Sequence, residues 1–292
     1  MAVSQHVCVI GGGASGTIAA RELQDEGHTF KVFEKRDCIG GLFTAGYDGL
    51  MMTSSTAVTL FSGYRMDGDE NPRFLTGGEY VKYLNDFADY YDLRKHFVFQ
   101  SEVVEVKPAP DSEPIGHWDE RDTKSFMTPQ QYKFLVKYRT HNGEVHVEKF
   151  TRIIVATGVH QPSNENMEVL DGYTGESMHS SQFKNTLSPT NMRGKSVLII
   201  GGGESAADIA YEISKDAKKL ALSFRSCPGF ITPRRVFNSP LIPADHDTTP
   251  LRHCLPLWQH PVHNFWDLPL LRTPYPYRPY DAVMFAINEV SQ

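Results

Sequence analysis

Two glycine clusters, each lying between a short apolar stretch and a segment with helical spacing, constrain the fold of this 292-residue chain most strongly. The first cluster, GGGASG, occupies residues 11–16 and follows the strand-like stretch 6–10. The second, GGGESA, occupies residues 201–206 and follows the stretch 196–200. A further short apolar stretch comes after each helical segment. Each region therefore predicts a βαβ unit, and together they predict an α/β fold with two Rossmann-like dinucleotide-binding domains.

The first cluster has the Gly-x-Gly-x-x-Gly spacing of a dinucleotide-binding loop. In that pattern Gly11 permits the tight turn after the strand, Gly13 lets a pyrophosphate approach the backbone, and Gly16 lets the helix pack close to the strand. The helix that begins at Ala14 and Ser15 directs free N–H groups and a partial positive charge towards the pyrophosphate. We therefore expect these five residues to bind a dinucleotide.

An acidic residue, Glu34, stands 23 positions after Gly11, at the end of the second predicted strand. A carboxylate there hydrogen-bonds a ribose diol and disfavours a 2′-phosphate, so the loop suits FAD or NAD. The stretch 34–43, EKRDCIGGLF, resembles the segment after the second strand in flavoproteins with two dinucleotide-binding domains, where paired glycines lie along the cofactor. That resemblance implies FAD, with further contacts from Lys35, Gly41, Leu42, Phe43, Thr53 and Val104.

The second cluster has the Gly-x-Gly-x-x-Ala spacing, a variant often used by nicotinamide sites. No acidic residue ends its second strand; Arg225 follows instead, and a guanidinium there can pair with a 2′-phosphate through two hydrogen bonds. The loop is therefore predicted to bind NADPH. Arg234 and Arg235 either supply a second clamp on that phosphate or are ordinary exposed arginines. The predicted NADPH contacts are Gly201, Gly203, Glu204, Ser205 and Arg225.

A strand-like stretch between the two loops ends in Ala156-Thr157-Gly158. In flavoproteins with two nucleotide sites, such a segment marks the crossing from the FAD domain to the NADPH domain. A plain strand and turn would have the same pattern, so these three residues support the cofactor assignment only in combination with the loops.

A more specific motif, Tyr-x-Gly-x-x-x-His-x-x-x-Phe, occupies residues 173–183, just before the second glycine cluster. It resembles the fingerprint of class B flavin-dependent monooxygenases, with Tyr173 in place of the first Phe and His179 at the central position. Baeyer–Villiger relatives have Trp where Phe183 stands, so the sequence resembles the flavin-containing branch, which oxygenates heteroatoms. The resemblance extends over nearly the whole sequence and adds His179 to the cofactor-binding residues.

The resemblance implies a two-stage reaction. NADPH reduces the flavin by hydride transfer, and the reduced flavin then takes up O₂ as a C4a-(hydro)peroxide that oxygenates a nitrogen or sulfur atom of a small amine or sulfide. The flavin carries out this chemistry, while the protein orients it and excludes water. A flavin disulfide reductase is disfavoured because the sequence has no Cys-x-x-Cys pair.

Two features depart from the family pattern. Heteroatom-oxygenating members carry an Asn near the flavin, whereas the matching stretch 52–56, MTSST, offers Ser54 or Ser55, and these two are the candidate catalytic residues. Family members also return after the NADPH domain to complete the FAD domain, and nothing after Arg225 shows that return. We therefore expect a fold that is C-terminally incomplete relative to the family. The chain is either one subunit of a split enzyme in which a partner protein completes the FAD domain, which we favour, or a truncated product. The alternative is a non-catalytic, regulatory nucleotide-binding subunit.

These expectations place an FAD-binding domain at residues 1–160 and a partial NADPH-binding domain at 161–292, with an aromatic- and proline-rich covering segment at 226–280. A net charge of −6 at pH 7 disfavours a nucleic-acid-binding surface. We find neither a signal peptide nor an apolar run of about 20 residues, so no membrane span is predicted and the cytoplasm is the expected location. The four cysteines lack metal-ligand spacing, so we expect free thiols and no metal.

Overall fold

The computed structural model describes residues 4–66, 73–110, 133–158 and 170–224. The protein divides into two compact units: Met1–Ala45 with Gly78–Pro162, and Gly46–Gly77 with Ser163–Gln292. The strands are β1 (His6–Ile10), β2 (Thr29–Phe33), β3 (Met51–Ser55), β4 (Phe74–Thr76), β5 (Phe97–Val98), β6 (Ser101–Pro108), β7 (Phe134–Thr140), β8 (Val145–Phe150), β9 (Arg152–Val155), β10 (Ser196–Ile200) and β11 (Lys219–Ser223). The α-helices are α1 (Ala14–Asp25), α2 (Thr56–Thr59), α3 (Gly77–Tyr90) and α4 (Glu204–Ser214).

The first unit is built on a four-stranded parallel sheet with the order β5-β2-β1-β9. Strand β1 lies between β2 and β9, and its central residues Val7, Cys8 and Val9 are buried, as expected for an inner parallel strand that is covered on both faces. All four strands end at the same edge of the sheet. The first glycine cluster leaves β1 at this edge, which is where parallel α/β sheets bind ligands.

An antiparallel sheet, β6-β7-β8, belongs to the same unit and closes part of its core. Val136 of β7 and Phe150 of β8 are fully buried and belong to one cluster with Cys8 and Phe33 of the parallel sheet. The rings of Phe33 and Phe150 meet edge to face, with their centroids 6.0 Å apart. The second sheet therefore stabilises the strands that carry the first glycine loop.

Helix α3 is amphipathic, and the sequence predicts it at residues 78–91. Its buried side chains recur at spacings of three and four, the pattern of a helix with one face on a core. These side chains are Tyr80, Tyr83, Leu84, Phe87 and Ala88.

The second unit contains the β10-α4-β11 segment, whose two strands pair in parallel. Phe183, Met192, Ile209 and Ile213 form its buried cluster, and apolar residues of both strands pack against it. The segment 46–77, with the antiparallel pair β3-β4, is grouped with this unit. Near the start of this segment, the Tyr47 hydroxyl donates a hydrogen bond to Asp208 of α4 at 2.8 Å.

The two βαβ segments match residue for residue. In the first, His6 to Ile10 pair with Thr29 to Phe33; in the second, Ser196 to Ile200 pair with Lys219 to Ser223. Both pairings are related by the same offset of 190 residues, so neither segment has an insertion relative to the other. Corresponding positions of the two loops can therefore be compared directly.

The predicted α/β fold with two Rossmann-like segments is confirmed. Strands β5 and β6 follow each other closely but are separate, because the backbone turns at Gln100, whose φ is 51°. Arg225, Arg234, Arg235 and the segment 226–280 lie outside the described residues. In the described part of the protein, no helix is long and apolar enough to cross a membrane.

Candidate functional site

The first glycine loop is shaped in part by the protein's own packing. Gly11 has a φ of 108°, which glycine adopts readily, and a Cβ there would lie 2.4 Å from the Ala156 carbonyl oxygen. A Cβ on Gly16 would lie 1.8 Å from the Gly11 carbonyl oxygen. The loop therefore lies closer to the Ala156 backbone than a side chain at Gly11 would permit, and α1 lies closer to the loop than a side chain at Gly16 would permit.

Gly13 is not explained by packing. A Cβ there would make only an ordinary contact, 3.6 Å from the Cα of Gly41, and its backbone is extended, with φ −79° and ψ −167°. A ligand lying against the backbone does explain the missing side chain. Gly13 is also the N-cap of α1 and makes no capping bond through a side chain, so the helix start at Ala14 and Ser15 presents N–H groups suited to an anion.

Glu34, the predicted ribose ligand, is buried beside this loop. Its Oε2 accepts a hydrogen bond from the Gly12 N–H at 2.6 Å, and its Oε1 accepts one from the Arg36 N–H at 2.9 Å. Each carboxylate oxygen has a second lone pair, so the side chain keeps acceptor capacity for ribose hydroxyls. A Cβ on Gly12 would lie 3.0 Å from the Glu34 Cβ, which accounts for a glycine that the motif itself does not require.

The paired glycines form a turn bonded to the first loop. The Gly40 N–H donates to the Gly12 carbonyl at 3.2 Å. The Gly41 carbonyl accepts hydrogen bonds from the Thr44 hydroxyl, at 2.8 Å, and from the Arg36 guanidinium. Loop and turn thus form one continuous backbone surface. Arg36 and Thr44 were not predicted from the sequence, because a side chain that bonds a nearby carbonyl leaves no recognisable spacing.

The other residues assigned to FAD in this unit differ in exposure. Lys35 is exposed, and Leu42 is 55% exposed beside the turn. Phe43 meets Tyr80 edge to face, with the ring centroids 5.0 Å apart. Val104 is exposed on β6, where the pairing with β7 shifts register. Their contacts with a cofactor stay predictions.

The Ala156-Thr157-Gly158 segment follows β9 and borders the first loop. The Ala156 N–H donates to the Ile10 carbonyl at 2.8 Å, which continues the sheet pairing up to the start of the loop. Thr157 and Gly158 are exposed beyond it. The structure therefore brings this predicted segment next to Gly11.

The second loop leaves more space. Gly201 has a φ of 134°, and the nearest atom to a Cβ there would be the Ala206 Cβ at 4.0 Å. A Cβ on Gly203 would meet no atom of the described residues within 4 Å. Gly203 is the N-cap of α4, and Glu204 and Ser205 are exposed at the helix start. Among the described residues this loop therefore has room for a phosphate group against its backbone.

In the first half of the 173–183 motif, the exposed Tyr173 ring lies over Gly175. The Tyr173 ring lies so close to Gly175 that a Cβ there would be 2.2 Å from the phenol oxygen. His179 caps the following 3₁₀ turn: its Nδ1 accepts the Ser181 N–H at 3.2 Å, and its own N–H donates to Gln182 Oε1 at 3.0 Å. In this structure His179 therefore shapes the backbone, and its predicted contact with a cofactor stays a prediction.

The last residue of the motif joins it to the second βαβ segment. Phe183 is 2% exposed and packs in the cluster that contains Ile209 and Ile213 of α4. The motif is therefore attached to the helix whose N-terminus carries the second glycine loop.

The candidate catalytic serines lie at the end of β3. Ser55 is fully buried. The Ser54 hydroxyl lies 2.6 Å from the Thr59 hydroxyl, which also donates to the Ser54 carbonyl at 3.1 Å. Thr53, assigned to the cofactor, is exposed. A catalytic role for Ser54 or Ser55 stays a prediction.

Two thiols lie near the first loop. Burial, with a smaller contribution from the Glu148 charge, raises the pKa of the Cys8 thiol to about 12. Burial and a hydrogen bond with Asp37 also raise the pKa of Cys38. Because the thiolate is the reactive form, these raised pKa values lower the nucleophilicity of both thiols.

Known proteins are similar to this chain in sequence. The family model described as flavin-binding monooxygenase-like matches residues 4–241. The chain is 30% identical over 235 residues to the 4-hydroxybenzoate brominase (decarboxylating) of Marinomonas mediterranea, covering 80% of this chain and 40% of that protein. It is 32% identical over 234 residues to the N-oxide-forming dimethylaniline monooxygenase 2 of Rattus norvegicus, covering 76% and 40%. The chain thus spans about 40% of the length of these relatives.

Solved structures agree with the fold. The S-allyl-L-cysteine S-oxygenase from Allium sativum matches with a TM-score of 0.63 and 26% identity, covering 82% of this chain and 54% of that protein. Cyclohexanone monooxygenase from Rhodococcus sp. Phi1 bound to NADP⁺ matches with a TM-score of 0.52 and 23% identity, covering 81% and 39%. The family resemblance based on the glycine loops and the 173–183 motif is confirmed.

Proposed function

This chain belongs to the flavin-binding monooxygenase-like family, and we propose that it acts as an FAD- and NADPH-dependent monooxygenase on a nitrogen or sulfur atom of a small molecule. One observation carries the proposal. Gly13 lacks a side chain that the fold would accommodate. It lies beside the glycine turn at Gly41, and the residue before it, Gly12, donates a hydrogen bond to the buried carboxylate of Glu34. These residues suit a dinucleotide, and FAD is the flavin cofactor that is a dinucleotide.

The residues of the first unit would hold FAD as follows. Glu34 would accept the ribose hydroxyls with its free lone pairs, and the N–H groups at the start of α1 would bind the pyrophosphate. Gly13 and Gly41 would let the cofactor lie against the backbone. When bound, the flavin supplies the hydride acceptance and oxygen activation that no side chain provides.

The second loop would hold NADPH. Gly203 gives it open space, and the start of α4 provides N–H groups for the nicotinamide dinucleotide's phosphates. Arg225 is the proposed partner of the 2′-phosphate, on sequence grounds alone. A phosphate-specific site predicts that NADPH reduces the bound flavin faster than NADH does.

Ser54 and Ser55 are the proposed catalytic residues, and they differ in hydrogen bonding and in burial. Thr59 donates to the Ser54 carbonyl, so its oxygen is placed to accept the Ser54 proton. Ser54 then has lone pairs, rather than a proton, to offer a ligand. Ser55 must leave its buried position to contact one. Ser54 is therefore the better candidate, as a hydrogen-bond acceptor.

The substrate class is proposed from relatives. One is named for N-oxide formation and another for sulfur oxygenation, so amines and sulfides come first. A third is named for a 4-hydroxybenzoate reaction, so a substrate screen should include phenolic acids. A partner protein and an oxygen-carrying flavin intermediate stay predictions.

The test is FAD titration of the purified protein followed by anaerobic stopped-flow mixing with NADPH. We expect the protein to bind a flavin whose 450-nm absorbance is lost on mixing with NADPH and is lost more slowly on mixing with NADH. We also expect Glu34→Gln to bind FAD about tenfold more weakly than the wild type does. A protein that binds no FAD, or whose bound flavin NADPH does not reduce, contradicts the proposal. The second outcome favours the non-catalytic alternative.

A further inference from the structure

Arg36 contacts both elements of the first nucleotide site. Its backbone N–H donates to Glu34 Oε1 at 2.9 Å, and its guanidinium Nη1 donates to the Gly41 carbonyl. Its own carbonyl accepts the Gln100 N–H at 2.9 Å, which fixes the Arg36 backbone between the two. One residue therefore links the buried acid to the glycine turn.

The spacing between the glycine turn and the first loop is narrow. A Cβ on Gly41 would lie 3.1 Å from the Cα of Gly13, so the turn and the loop are within one side chain's width of each other. Thr44 also bonds the Gly41 carbonyl, but it belongs to the same 3₁₀ turn, Gly41–Ala45. Of the two side chains bonded to that carbonyl, only Arg36 ties it to residues outside the turn.

We propose that Arg36 is a positioning residue that holds the Gly41 peptide against the first loop and so raises the affinity for the dinucleotide. The proposal rests on the proposed function, which places a dinucleotide at this loop. A hydrogen bond from a charged donor is stronger than a neutral one, so its loss frees the peptide to rotate. The ligand must then order the peptide on binding, which lowers affinity without a lost ligand contact.

Substitution of Arg36 by lysine or by methionine separates the effect of its charged hydrogen-bond donor from the effect of its side-chain volume. Arg36→Lys keeps a positive charge and one rotatable donor group, whereas Arg36→Met keeps only an apolar stem of similar length. Arg21→Met is the matched control, because Arg21 is a partly buried arginine on α1 of the same unit that pairs with Glu22 and Asp25 and lies over the Tyr91 ring.

The experiment measures FAD binding by flavin fluorescence and by the bound-flavin absorption band, with urea unfolding of each FAD-free protein. We expect Arg36→Met to raise the Kd for FAD about tenfold and to broaden the bound-flavin band, and Arg36→Lys to raise the Kd less. Arg21→Met should leave the Kd within about twofold of the wild type. The FAD-free Arg36→Met and Arg21→Met proteins should unfold at similar urea concentrations.

Two results overturn the proposal without contradicting the proposed function. Arg36→Met binds FAD as the wild type does, or it loses affinity together with a large drop in its own urea midpoint that Arg36→Lys does not restore. A wild-type protein that binds no FAD is a different outcome, because it contradicts the proposed function and removes the proposal with it.

Discussion

The two βαβ segments have the same length and the same loop pattern, yet their glycines have different neighbours. In the first, β1 is flanked by β2 and β9, and a Cβ on Gly16 would lie 1.8 Å from a backbone oxygen. In the second, the described residues place only β11 beside β10, and Ala206 occupies the position that corresponds to Gly16. Helix α4 therefore leaves room for a methyl group where α1 does not.

The difference shows that one motif contains glycines of two kinds. Gly11 and Gly16 are required by the protein's own packing, whereas Gly13 and Gly203 lie in space large enough for a side chain. Only the second kind carries information about a ligand. A glycine motif is therefore more informative about function when the packing of each position is known.

The largest expected effect concerns the close approach of α1 and β1. Gly16→Ala places a methyl group against the Gly11 carbonyl, and we expect it to lower the free energy of unfolding by about 3 kcal/mol or more. The reverse change at the corresponding position, Ala206→Gly, should cost only about 1 kcal/mol through helix propensity. Urea denaturation of both variants measures the difference, and equal costs would show that the two helices approach their strands equally.

An intermediate effect concerns affinity rather than stability. Gly13→Ala and Gly203→Ala meet no close atom among the described residues, so their free energies of unfolding should stay within about 1 kcal/mol of the wild type. Gly13→Ala should weaken FAD binding about tenfold and leave NADPH binding unchanged, and Gly203→Ala should do the opposite. Titration of each variant with each nucleotide provides its own control. Unchanged affinities would mean that the open space at these glycines is not where the nucleotides lie.

The smallest expected effect concerns the far end of α4. A hydrogen bond from Thr186, and then the charge of Arg193, lower the pKa of Asp216 in the folded protein. The ionised carboxylate therefore adds stability above its unfolded pKa, near 3.8, and this contribution is lost as the pH falls through the folded value. Asp216→Asn should reduce the loss of stability below about pH 4, and Thr186→Val should act in the same direction. An unchanged acid limb in urea titrations for both variants would contradict the assignment.

Local pattern predicted much of this structure. Strand, glycine cluster and helix follow one another within a few residues, so both βαβ segments could be located from the sequence. The acid at Glu34 could be placed at the first loop because its distance in sequence from Gly11 is set by one helix and one strand.

Contacts between distant residues could not be predicted in this way. The Tyr47 hydroxyl bonds Asp208 across 161 positions of sequence, and no periodicity in residues 46–77 indicates that the segment is grouped with the second unit. The short strand β3 was also missed, because the polar run at 52–56 has neither strand nor helix spacing. The assignment of Ser54 and Ser55 depended on family resemblance, and their unequal burial is visible only in the folded protein.

The constant offset of 190 residues makes the two βαβ segments interchangeable in length. A chimera in which residues 6–34 are replaced by residues 196–224 would keep every strand end in place, and no linker would have to be rebuilt. Whether this chimera folds stably would depend on whether α4, which carries the Ala206 methyl group, can pack closely against a strand that lies next to β9. A second chimera that also carries Ala206→Gly differs from the first by a single methyl group. Comparing the stability of the two chimeras would show whether that methyl group prevents the β10-α4-β11 segment from packing in the first unit.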